Sequence, residues 1–156
     1  MHIHTIRMRD FRGLGDTTVQ FHPGVNVLVG RNNTGKTTIL DALRLCLGIG
    51  TEQPGIYVRR DDYRVSPDGT VADVIEFDLT WRGLSDEEKG VYCEMLTIAA
   101  DRTPELQLHV RLEYDPEKER SKLWVPKILA PDFQKFWHSR VVGGVYAMWA
   151  LRSRVI

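Results

Sequence analysis

Residues 30–37 spell Gly30-Arg31-Asn32-Asn33-Thr34-Gly35-Lys36-Thr37, a complete G-x-x-x-x-G-K-[ST] run that constrains the fold more than any other stretch of the chain. Glycines at both ends let successive backbone N–H groups turn inward around phosphate oxygens without Cβ interference. Lys36 supplies a point charge for the β- and γ-phosphates and Thr37 a hydroxyl ligand for Mg2+, while the following helix aims its positive dipole end at the anion. Such a loop needs a strand before it and a helix after it. Val25-Asn26-Val27-Leu28-Val29, after the turn signal His22-Pro23-Gly24, reads as a buried strand. Ile39, Leu40, Leu43, Cys46 and Leu47 recur on one helical face that Gly48 closes. The expected ligands are ATP and Mg2+. Gly30, Arg31, Asn32, Asn33, Thr34, Gly35, Lys36, Thr37 and Thr38 are the expected nucleotide-binding residues, with Thr37 on the metal.

Beyond the loop, the helix continues Thr37-Thr38-Ile39-Leu40-Asp41-Ala42-Leu43, with Asn32 at the third loop position. Upstream, Ile3, Ile6 and Met8 precede Asp10-Phe11-Arg12, and Val19, Phe21, Gly24, Val25 and Asn26 approach the loop. Over residues 3 to 48 this pattern resembles the ABC-type ATPase heads of the SMC, RecF and OLD (overcoming lysogenization defect) proteins. The resemblance implies that Arg12 touches nucleotide from the first strand, although Asp10 stands where the family has Asn. Within the superfamily, the order Asp62-Tyr63, a strand at 71 to 81, then Leu84-Ser85-x-x-Glu88 is similar to OLD heads. That resemblance implies an ATPase coupled to a Toprim-type nuclease acting on DNA, reached through the full-length protein or a partner, and a homodimer of complete heads. Two other readings stay open: an SMC- or RecF-like DNA-repair head, and a nucleotide-dependent binding module that never hydrolyses.

The expected fold is α/β: a partial P-loop NTPase head of the ABC-ATPase type, with the P-loop strand and helix at its centre and an antiparallel β lobe. All 156 residues read as a single partial head. Residues 1–48 hold the N-terminal strands, loop and helix. Residues 49–70, rich in Gly, Pro, Asp and Arg, read as a surface loop, with Arg59-Arg60-Asp61-Asp62 as solvated charges. Residues 71–128 read as the β lobe with one helix. Ile75, Phe77, Leu79 and Trp81 alternate with polar residues in one strand. Ser85 and Glu88 form a capping box opening a helix whose face is Val91, Tyr92, Met95, Leu96 and Ala99. Leu106 to Tyr114 alternate in a second strand that leaves His109 on the polar face, and Leu123 to Ile128 return beside it. Residues 129–156 read as the start of a further segment, with a short helix from Ala130 and an apolar stretch from Val141 to Trp149.

Two stretches imitate further ATPase motifs. Leu84-Ser85 begins like an L-S-G-G-Q signature, but Asp86-Glu87-Glu88 stand where glycines are needed. Val74 to Asp78 ends in an acid like a Walker B strand, yet it alternates instead of running continuously apolar. With neither motif present, no catalytic residue is assigned, and hydrolysis is expected to need groups beyond these.

Formal net charge is +0, so no general electrostatic pull toward nucleic acid is expected. No apolar run approaches a membrane span and no leader pattern opens the chain, which fits a soluble, cytoplasmic protein with no membrane partner. Cys46 and Cys93 read as packed thiols, and His2 and His4 as strand residues without a metal.

Overall fold

The computed structural model describes residues 1–49 and 57–124. The expected segment from Leu129 to Ile156 and the far end of the last hairpin lie outside the described residues.

Strands form where apolar and polar residues alternate. β1 (His2–Phe11) and β2 (Leu14–Gln20) make a hairpin, and β3 (Val74–Arg82), β5 (Pro104–Asp115), the short β4 (Leu96–Ile98) and β6 (Arg120–Trp124) complete a six-stranded antiparallel sheet. Its order is β2-β1-β3-β5, with β4 and β6 each pairing a different part of β5. Because the side-chain period is two, the register stacks one apolar face: Met8 opposite Phe77 opposite Val110, and Ile6 opposite Leu79 opposite Leu108. Phe11 meets Phe77 edge-to-face at 5.1 Å, a geometry that adds ~1 kcal/mol beyond area burial.

Helix α1 (Lys36–Leu47) covers this face, burying Ala42, Leu45 and Cys46, with Tyr63, Leu84 and Tyr92 closing the core. Burial pushes the Cys46 thiol pKa up, so it packs as a small apolar group. The buried stripe is shifted from the expected one. Leu40 is exposed, because the helix is apolar around more of its circumference than a single sheet covers.

The opposite face is charged. Arg9 pairs with Glu76 and Asp78, Asp78 meets His109 Nδ1 at 2.6 Å, and Arg111 lies 3.5 Å from Glu76. His109 is thus the cross-strand partner the alternation implies, and Asp78 is an outward residue of an antiparallel strand, distinct from a buried Walker B acid.

Four further expectations are corrected. Among the described residues the P-loop strand is not paired: Val25, Val27 and Val29 are 74, 76 and 88% exposed, and no backbone ladder bond joins this run to another described segment. β-branched residues favour extended backbone, but a strand exists only beside another strand, and the described residues supply only antiparallel hairpin neighbours. The helix after Ser85 is also short. α2 spans Asp86–Val91, a 3-10 turn follows at Cys93–Met95, and Leu96 begins β4 because its backbone pairs with Leu106. Cys93 is consequently exposed, not packed. Finally, the segment from Tyr57 onward is more than a surface loop. A 3-10 turn at Arg60–Asp62 delivers Tyr63 into the core, where it bridges to Phe11. Among the described residues no helix is long and apolar enough to cross a membrane.

Candidate functional site

The phosphate-loop residues fold into a compact arch closed by their own polar atoms. Thr34 Oγ1 donates to Arg31 O at 2.8 Å, and Lys36 Nζ donates to Gly30 O at 2.8 Å and Arg31 O at 2.5 Å. Asn33 and Gly35 both adopt the left-handed region, φ 65° and 88°, a backbone conformation from which anion-binding nests of N–H groups are built. Gly35 is the N-cap of α1, and Ile39 N donates to its carbonyl at 2.9 Å. The first-turn N–H groups of α1 therefore open onto the arch.

A cleft of about 570 Å³ lies there, lined by Gly13, Leu14, Asn32, Asn33, Thr34, Gly35, Lys36, Thr37 and Thr38. A side chain at either glycine of the motif would press on a neighbouring side chain. A Cβ at Gly30 would stand 2.9 Å from Thr34 Oγ1, and one at Gly35 would stand 3.0 Å from Leu14 Cδ2. A phosphate cradle made of main-chain donors with one lysine and three threonines fits a nucleoside triphosphate and its divalent metal.

Of the residues named from sequence, Asn32 through Thr38 line this cleft together, whereas Gly30 and Arg31 contribute carbonyls to Lys36. Arg12 lies beside it. Its Nε donates to Asp62 at 2.7 Å and its Nη1 to Asp41 at 2.6 Å, with its guanidinium 4.9 Å from the Phe11 ring centroid. Partial burial opposes the charged guanidinium, but these two carboxylates outweigh it and hold the Arg12 pKa above its ordinary value.

Four residues of this region were not assigned to the site from sequence. Gly13 and Leu14 wall the cleft because the β1–β2 turn folds over the loop, a contact with no local signal. Asp41 lies four residues after Thr37, hence on the same helix face, which spacing alone could have shown. Asp62, in the run read as solvated, is only 15% exposed at its side chain, and nothing local announces that.

Residues 5–123 match the family described as AAA domain. Among curated relatives, the chain is 33% identical over 85 residues to the DNA replication and repair protein RecF of Salinibacter ruber, covering 53% of this chain and 21% of that one. It is 41% identical over 54 residues to the chromosome partition protein Smc of Synechocystis, 34% of this chain and 4% of that one. It is 40% identical over 47 residues to the DNA double-strand break repair Rad50 ATPase of Thermoplasma volcanium, 30% of this chain and 5% of that one. The chain thus spans about a fifth of the first of these relatives and a twentieth or less of the other two. A solved structure from work on ATP-driven dimerization and DNA-stimulated activation of SMC ATPases superposes with a TM-score of 0.51 at 21% identity, covering 81% of this chain and 70% of that one. An Smc head bound to the C-winged helix domain of ScpA superposes with a TM-score of 0.50 at 21% identity, over 80% of this chain and 35% of that one. The fold is therefore that of a P-loop NTPase, seen here as a partial α/β domain with an antiparallel sheet. The chain belongs to the AAA domain family and is similar, over part of its length, to RecF, Smc and Rad50 proteins.

Proposed function

We propose that this chain binds ATP with Mg2+ at Gly30–Thr38, as the N-terminal, ATP-binding portion of an OLD-like ATPase whose complete form processes DNA. The observation that carries the nucleotide reading is the cleft itself: seven consecutive loop and helix residues, Asn32 to Thr38, around main-chain donors with Lys36 at the edge. Lys36 would exchange its two carbonyl acceptors for phosphate oxygens, and Thr37 would ligate the metal. Arg12 would add charge from beside the cleft.

Turnover is proposed to need more than these residues. Phosphoryl transfer depends on a metal-sharing aspartate and a group that orients the attacking water, and the chain offers neither motif. Those groups, the DNA contacts and a head-to-head homodimer are assigned to the complete protein.

The OLD branch is supported by element order, since the Asp62-Tyr63 pair, β3 and the Ser85–Glu88 capping box succeed one another as the sequence pattern expects. A second reading, an SMC- or RecF-like DNA-repair head, is favoured by the names of the relatives, which are RecF, Smc and Rad50. Calorimetry with Mg-ATP tests what both share. Binding by the parent chain with loss in Lys36→Ala is expected; equal affinity in both would overturn the assignment.

A further inference from the structure

Three chain segments meet at one guanidinium. Arg12 ends the β1 strand in a strained backbone, φ 52°, and its own N–H donates to Asp62 O at 2.7 Å. Its side chain then spans Asp62, from the turn before Tyr63, and Asp41, from the helix that carries the phosphate loop. Both carboxylates are largely buried, with 15 and 14% of their side-chain surface exposed. Asp62 is itself fixed, since its other oxygen caps the turn by accepting from Arg59 N at 2.9 Å.

We propose that Asp62 is a positioning residue for nucleotide binding, which through Arg12 sets the charge and placement of the Asp41 end of the phosphate-loop helix; this deepens, and rests on, the nucleotide reading above. Asp41 stands one turn beyond Thr37 on the same helix face, so its negative charge opposes a triphosphate bound at the loop. Arg44 stands 3.4 Å from one Asp41 oxygen and Arg12 2.6 Å from the other, so Arg12 makes the closer pairing, and does so while something holds the guanidinium in plane against it. Asp62 does so by engaging Nε, which leaves Nη1 for Asp41 and the Nη2 edge without a protein acceptor among the described residues. A planar fork fixed at two points is pre-organised in a way that a lysine at this position is not.

The opposite arrangement is a latch, in which the carboxylates withhold Arg12 from nucleotide. The two differ in sign. Neutralising Asp62 weakens ATP binding if it positions Arg12 and tightens binding if it sequesters Arg12.

The experiment is a double-mutant cycle on the full chain, with Mg-ATP affinity measured calorimetrically for the parent, Asp62→Asn, Arg12→Ala and the double variant. Asp62→Asn is expected to weaken binding about tenfold in the parent background and less than about twofold when Arg12 is already absent. A general loss of structure would instead lower affinity equally in both backgrounds. Equal effects, or tighter binding by Asp62→Asn, overturn the proposal. Should Asp62→Asn not fold, Asp62→Glu, which keeps the charge but displaces the carboxylate by a methylene, carries the same expected direction through the same cycle. Lys36→Ala measured alongside separates the two levels. ATP binding that ignores Lys36 overturns the nucleotide reading itself, whereas Lys36-dependent binding with a flat cycle overturns the role of Asp62 alone.

Discussion

Replacing Gly35 by alanine isolates the backbone requirement of the phosphate loop. Gly35 sits at φ +88° as the N-cap of α1, and an added Cβ would approach Leu14 Cδ2 to 3.0 Å. An L-residue in the left-handed region costs about 1–2 kcal/mol, offset by about 0.4–1 kcal/mol because alanine also restricts the unfolded chain. The Leu14 methyl must then yield by a few tenths of an ångström, so the net expectation is a loss of ~1–2 kcal/mol. Urea unfolding reads this as a lower midpoint at unchanged slope. Gly90 supplies the contrast. It lies in α2 with open space around a Cβ and no positive φ, so Gly90→Ala should stabilise by about 0.5–1 kcal/mol. Leu14→Ala in the Gly35→Ala background should recover only the contact part and not the backbone part. Two alanine variants shifting the midpoint in the same direction, or full recovery by Leu14→Ala, would refute the reasoning.

Phe77→Ala should destabilise by about 3–5 kcal/mol, since the ring is fully buried between β1 and β5 and stacks edge-to-face on Phe11; chemical denaturation measures it. Val27→Ser should shift stability by less than about 0.5 kcal/mol in this chain, because Val27 is exposed and makes no ladder bond among the described residues, and the same titration would expose a larger loss. Burial opposes the ionised form of Glu88, but the Ser85 N–H and the N-terminal ammonium outweigh it and depress its pKa. Its stabilisation is therefore complete above the ordinary carboxylate range and is lost as pH falls through the depressed value. Glu88→Gln should flatten that acid limb in thermal unfolding followed against pH.

What was legible in the chain is what local spacing encodes. The phosphate loop and α1 follow from Gly30 to Leu47, the capping box from Ser85 and Glu88, and the sheet faces from alternation in β3 and β5, all of which the structure reproduces. The misses share one cause. Val25–Val29 has strand propensity but no ladder partner, and Leu96 fits a helical stripe yet pairs with Leu106. Asp62 and Tyr63 sit in a charged, turn-rich run whose burial is decided by Arg12 and Phe11, some fifty residues away. Propensity yields to tertiary pairing in each of these places. The site shows the same division, since its loop is a contiguous motif whereas its walls and charge partners come from three separated segments.

That division has a consequence for how the cradle is held. Among the described residues Val25–Val29 makes no ladder bond, and the contacts that seat the arch come from elsewhere. Its support comes from the lobe instead. Ala42, Leu45 and Cys46 seat α1 on the antiparallel sheet, Leu14 packs across Gly35, and Arg12 ties Asp41 to Asp62. The β1–β2 turn supplies both Leu14 and Arg12, so a displacement of that hairpin moves the cleft wall and the charge on α1 together. The hairpin thereby links the β lobe to the cleft wall through Leu14 and to α1 through the Arg12–Asp41 pair.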